Sequence, residues 1–243
     1  DGEEIFATRE FAATISDFRL DDELLNAPAT TRGRVFYTRN IRANIKDYAY
    51  QTGDGLYRLH ADDVSLATAS RSLTLNNLSL QPLVDRGNYL QRSQYAFTLA
   101  EAEISQVKMQ GLDFVSLLNE DKWHVSEVNV LAPELKVMRE NRLPRDESRR
   151  PPLHQKMIAK LQQPIKIDKL LIRNGQISYA ELAEDSPKEG VISFEDLNAE
   201  IRNISNDQED IRQNTMMEMD VNAKVMGEGY IEAFFRFPLD TTS

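Results

Sequence analysis

The chain has no cysteine, one tryptophan and three histidines in 243 residues. Without cysteine there is no disulfide, no thiolate nucleophile and no Cys-ligated metal. The absence leaves the compartment open, because many bacterial periplasmic proteins also lack cysteine. No apolar run approaches the length of a membrane span, and no signal peptide is visible. Positive charge is in deficit: 29 Lys and Arg stand against 39 Asp and Glu, a formal net charge of −10. That balance argues against a nucleic-acid surface and against docking of the whole surface on anionic lipid. HExxH, P-loop, dinucleotide and nucleophile-elbow motifs are all missing. His60, His124 and His154 are far apart and share no motif, and His60 and His124 are expected at the surface. Asp62-Asp63 and Asn206–Asp210 are acidic but match no calcium-loop spacing. Asn203-Ile204-Ser205 is a formal glycosylation sequon at an expected strand end. No catalytic residue, metal or cofactor is expected.

What the chain has is an eight-residue pattern with apolar residues at i, i+2, i+5 and i+7 and polar residues or Gly between. Clean copies are Ala13-Ile15-Phe18-Leu20, Leu59-Ala61-Val64-Leu66, Leu73-Leu75-Leu78-Leu80, Val107-Met109-Leu112-Phe114, Trp123-Val125-Val128-Val130 and Ile192-Phe194-Leu197-Ala199. Looser copies are Ala43-Ile45-Tyr48-Tyr50, Phe97-Leu99-Ala102-Ile104 and Ile165-Ile167-Leu170-Ile172. A random chain of this composition should hold roughly one clean copy. Alternation reads as a strand with one buried face. The mid-point slip would turn the second apolar pair to the other face unless an extra residue is absorbed. A β-bulge would absorb it and bend the strand; a short turn or a change of partner sheet are the alternatives. Asp17, Asp62-Asp63, Asn76-Asn77, Gly111 and Asp196 sit at the slips, and such residues tolerate turn and bulge dihedrals.

The expected fold is therefore mainly β: a long, strongly curved antiparallel sheet of bulged strands with one apolar face, groove-like, plus a few short helices. Asp21–Asn26 suits a helical turn or loop, 85–94 a polar loop, and Phe114–Leu118 a short helix. Residues 153, 157, 158 and 161 have the spacing of an amphipathic helix ended by Pro164. Turns are expected at Gly53-Asp54-Gly55, at Gly227-Glu228-Gly229 and, as a hairpin, at Asn174-Gly175. Asn206–Asp210 is expected as a polar turn with a brief helix. Pro133 is expected to separate the strand Lys122–Leu131 from Glu134–Arg139.

Five arginines and three prolines crowd 139–153 as a solvated crossing. Beyond it lies an internal echo. Val125, Val128, Val130, Pro133, Leu135 and Val137 align without gaps on Ile167, Leu170, Ile172, Gly175, Ile177 and Tyr179, suggesting a repeated unit. The whole of 1–243 is expected to form one domain, with 1–139 and 151–243 as subunits joined by the crossing. Both chain ends read as cuts from a longer protein.

An apolar face must be buried by folding on itself, by helices at 114–119 and 152–162, or by an apolar ligand in an open trough. The residues assigned to that face, as core or ligand contact, are Ile15, Phe18, Leu59, Val64, Leu73, Leu75, Leu78, Leu80, Val107, Met109, Trp123, Val125, Val128, Val130, Ile167, Leu170, Ile172, Phe194 and Leu197.

The strand grammar of Ile165–Tyr179, Ile192–Ile201, Gly227–Phe235 and Ser72–Leu80 resembles the AsmA-like superfamily of bacterial envelope proteins, which includes TamB-like and DUF748-type members. The likeness spans most of 55–239. It implies a non-enzymatic periplasmic segment, anchored to the inner membrane elsewhere in the full-length protein, that binds or conducts phospholipid along an apolar β-groove. It implies neighbouring segments of that protein as partners. The alternative is a module that scaffolds outer-membrane assembly without binding lipid. The chain departs from the family in having no membrane helix and in being far too short to cross a periplasm.

Overall fold

The alternating segments assemble into a single 11-stranded sheet. A computed structural model describes residues 5–26, 35, 37–146, 161, 163–183 and 188–240. The elements are β1 (Ile5–Ala7), β2 (Glu10–Phe18), α1 (Asp22–Asn26), β3 (Thr38–Gln51), β4 (Tyr57–Ala67), β5 (Ser72–Pro82), α2 (Arg86–Arg92), β6 (Phe97–Gln110) and α3 (Phe114–Glu120). They continue with β7 (Trp123–Glu140), β8 (Ile165–Leu182), β9 (Glu189–Ser205), α4 (Gln208–Gln213), β10 (Met216–Val225) and β11 (Gly229–Pro238). Each strand from β3 onward neighbours the next in sequence, and β1 and β2 both pair with β3. The sheet does not close: among the described strands β11 pairs only with β10.

The expected all-antiparallel sheet is corrected at one ladder. β7 and β8 run parallel, from Trp123 beside Ile165 to Glu140 beside Leu182. The internal echo has the same register: Val125 pairs with Ile167, Val128 with Leu170, Leu135 with Ile177 and Val137 with Tyr179. Two parallel neighbours with the same pattern phase lie side by side, and this produces a gap-free self-alignment. A parallel pair needs a long crossover, and the Arg/Pro-rich stretch supplies it. The amphipathic helix expected at 152–162 lies almost wholly outside the described residues. The sheet is continuous across the expected 1–139 and 151–243 division.

Three other expectations change. Asn174-Gly175 is no hairpin; both residues lie inside the unbroken β8. Gly175 is buried there, and a Cβ would come within 3.2 Å of Pro133 Cγ. Pro133 likewise lies within the single long β7 rather than between two strands. The expected 85–94 loop contains α2, whose N-cap Asp85 accepts a hydrogen bond from the Asn88 N–H. The other short helices stand near their expected places, α3 with Asp113 capping the N–H groups of Val115 and Ser116.

The pattern's slips are real and largely line up. Lys46 pairs with Asp63 and Tyr48 with Ala61, which puts Asp47 opposite Asp62. By the same reasoning Asp62 faces Asn77, Asn77 faces Ser105, and Ser105 faces Ala132. Asp47, Asn77 and Ala132 are left-handed, with φ of 50°, 50° and 46°, and Asn174 and Asp196 continue the line at 54° and 49°. The slips from β3 to β7 are thus not bulges that set two residues against one. Each meets a matching slip in the next strand, and the register is kept. A register shift occurs at the β8–β9 and β9–β10 ladders. The left-handed residues Asp47, Asn77 and Ala132 lie on alternate strands, and their partners Asp62 and Ser105 are not left-handed. At both kinds of slip the alternation restarts on the same side, so Leu75 and Leu78 pack against one cluster, as do Ile104 and Val107. A left-handed β-branched residue is strained. Asn77→Val should cost about 1.5 kcal/mol in urea unfolding, and Asn77→Gly less. Equal costs would remove the left-handed backbone as the cause.

The loose copy Phe97-Leu99-Ala102-Ile104 fails. The ladder runs without a skip from Leu99–Met138 to Ala102–Leu135, so Leu99 and Ala102 take opposite sides.

Candidate functional site

The register joins the apolar pattern positions into rows. One row crosses every strand from β2 to β11: Ala13, Ala43, Leu66, Leu73, Met109, Val128, Leu170, Ile201, Met219 and Phe235. A second does the same through Phe11, Ile45, Val64, Leu75, Val107, Val130, Ile172, Ala199, Val221 and Ala233. Beyond the line of slips, a third runs Tyr50, Leu59, Leu80, Ala102, Leu135, Ile177, Phe194 and Val225. Directly opposed partners share a side of their ladder.

The structure divides the residues assigned from sequence. Val107, Val125 and Val128 are buried in a cluster with Leu112 and Phe114. Leu73, Leu75, Leu78, Met109, Trp123, Val130, Ile167 and Leu170 pack against that cluster. So do Val35 and Leu117 of α3. Leu59, Val64, Leu80, Ile172, Phe194 and Leu197 belong to neither buried cluster and are half-buried. Ile15 and Phe18 on β2 are exposed. A second small cluster, Ile204, Ile211, Met217 and Leu239, forms where α4 meets the ends of β9 and β10. Its members from α4 and the chain end lay outside the pattern, so the pattern did not point to them.

The spacer positions carry hydrogen bonds. The Asp63 carboxylate accepts from Lys46 Nζ at 2.5 Å, Ser65 Oγ at 2.6 Å, Asn44 Nδ2 at 2.7 Å and Asn76 Nδ2 at 3.4 Å. The Lys46 ammonium first, then the Ser65 and Asn44 donors, hold its acid well below the usual carboxylate range. Gln106 extends the network by donating to Asn76 Oδ1 at 2.9 Å. Along the slips, Arg9 pairs with Asp47 at 2.7 Å and Asn77 donates to Asp62 at 2.8 Å. His60, expected simply at the surface, stands between them, 4.0 Å from Asp47 and 3.7 Å from Asp62. This trio is the candidate metal geometry among the described residues. Arg9 and Asn77 already occupy its carboxylates.

A hollow of about 840 Å³ opens beneath α2, with Leu99, Met138 and Ala180 on its floor and Arg86, Lys136 and Glu189 around it. Leu99 and Met138 are on the side opposite Ala102 and Leu135. Sequence reasoning missed this hollow, because its floor is built from residues far apart in the chain that only the register of three neighbouring strands sets side by side. No helix among the described residues is long and apolar enough to cross a membrane. No family model matches this chain, and no curated protein is similar to it.

Proposed function

We propose that this chain is a non-enzymatic lipid-binding segment of a bacterial envelope protein. In this reading the apolar rows form one continuous face, and the twist of the sheet together with the register shifts beside β9 bends that face into a trough. The observation that carries the reading is the third row. Leu59, Leu80, Leu135, Ile177 and Phe194 align across the sheet yet are only partly buried, outside both buried clusters. Apolar side chains aligned across several strands and only partly covered by the protein suit an acyl chain. The AsmA-like strand grammar supports the same ligand, a phospholipid, and a periplasmic setting with an inner-membrane anchor elsewhere in the protein. A second reading, a module that scaffolds outer-membrane assembly without lipid, draws on the apolar sheet edges at β2 and β11.

Native mass spectrometry with lipid extraction of the purified chain tests the first reading. Phospholipid should co-purify and be lost in Leu80→Asp and Ile177→Asp, with circular dichroism unchanged. Met138→Asp, on the opposite side, should keep it. Loss through Met138→Asp alone moves the site to the hollow beneath α2. A folded chain that carries no lipid leaves the scaffolding reading.

A further inference from the structure

We infer that β11 is a docking edge for a second copy of this chain, paired antiparallel about Phe234. β11 is an edge strand of ten residues, and it has little of what blunts an edge. Its only charges are Glu232 and Arg236, and its proline is the last residue. Apolar side chains are bare on both of its sides: Tyr230 is 67% exposed and Phe234 55%, against 43% for Ile231 and 41% for Phe235.

The hydrogen-bond phase fixes which groups are open. Leu239 N–H donates to the Thr215 carbonyl at 2.8 Å, in the same register that pairs Met217 with Phe237 and Met219 with Phe235. Hydrogen-bonded pairs recur every second residue in an antiparallel ladder. The odd-numbered residues of β11 therefore bond to β10. Tyr230, Glu232, Phe234 and Arg236 direct both N–H and C=O outward.

The strand is self-complementary in that phase. With Phe234 facing Phe234 of the second copy, Glu232 of each copy faces Arg236 of the other. Ala233 then meets Phe235, and Ile231 meets Phe237. Two reciprocal ion pairs flank a two-fold axis, the arrangement an isologous interface requires. Glu232 makes no ion pair among the described residues, and Arg236 already holds Glu218 at 3.2 Å with half of its side chain exposed. A carboxylate from the second copy would sit on the open side of that guanidinium.

Sedimentation equilibrium on the 243-residue chain, with variants, tests the pairing. The unaltered chain should dimerise. Phe234→Pro removes an outward N–H that β10 does not use, so the fold is kept and the dimer is lost. Glu232→Arg alone and Arg236→Glu alone each set like charges opposite one another twice, and each should weaken the dimer about tenfold. Mixing these two variants restores both opposite-charge pairs and should restore the dimer as a heterodimer. A folded chain that stays monomeric overturns the inference. So does a dimer indifferent to Phe234→Pro, or a mixture no tighter than its components.

Discussion

Gly111→Ala should lower folding stability by about 3 kcal/mol, from a left-handed backbone cost and a steric overlap together. Gly111 follows β6 with φ of 69°, opposite Ser126 of β7. A Cβ there would overlap Ser126 Oγ and lie 2.7 Å from Ser126 Cβ. The backbone cannot step aside, because its neighbours hold it. Leu112 N–H donates to the Arg71 carbonyl at 3.0 Å, and the Arg71 guanidinium donates to the Gly111 carbonyl at 3.0 Å. The next residue, Leu112, is fully buried and leads to Phe114 in the main cluster. Ser126→Gly added to Gly111→Ala should recover roughly half of the loss, since only the overlap is relieved. Urea unfolding midpoints at constant slope measure both. A single variant within about 0.5 kcal/mol of the parent would sink the account.

Glu140→Gln should cost about 3 kcal/mol at neutral pH, and the cost should fade in acid. The Glu140 side chain is fully buried at the end of β7. It accepts from Arg142 Nε at 2.8 Å, Arg142 Nη2 at 2.7 Å, the Arg142 N–H at 3.1 Å and Arg86 Nη2 at 3.3 Å. The Arg142 hydrogen bonds outweigh burial and hold the carboxyl at about 2. The folded value is lower than the roughly 4.3 of an unfolded glutamate. The contribution is therefore full above that value and is lost as pH falls toward 2. The gap between parent and Glu140→Gln should shrink over the same window, and a gap independent of pH would refute the ion-pair role. Arg86 opens α2, whose Tyr89 ring sits 4.5 Å from Phe97. Loosening of α2 should accompany the variant.

The slips were legible because their cause is local. Asp17, Asn77 and Asp196 are residue types that accept a left-handed backbone, and all three do. Ala132 does so as well, at φ 46°, and nothing about an alanine announced it. It is held by its place opposite Ser105, a non-local fact. The Asn174-Gly175 dipeptide misled for the same reason. Asn174 does turn left-handed, at φ 54°, but β8 is paired with β7 and β9 before and after it and Pro133 packs on the glycine, so the chain continues instead of reversing. The apolar pattern also could not separate Val128 from Leu80. Val128 holds the i+5 position of its copy and Leu80 the i+7 position of its own, yet Val130, also at i+7, packs on the cluster of Leu112 and Phe114 while Leu80 lies outside it and is only partly buried.

The sequence by itself determined a β chain whose strands each restart their alternation, since side-chain alternation and turn-tolerant residues act within a few positions. Only the tertiary structure decided that the slips face one another, that β7 and β8 run parallel, and which apolar positions lie covered. Those depend on which strands meet, and in what register, a choice made by contacts between residues far apart in the chain.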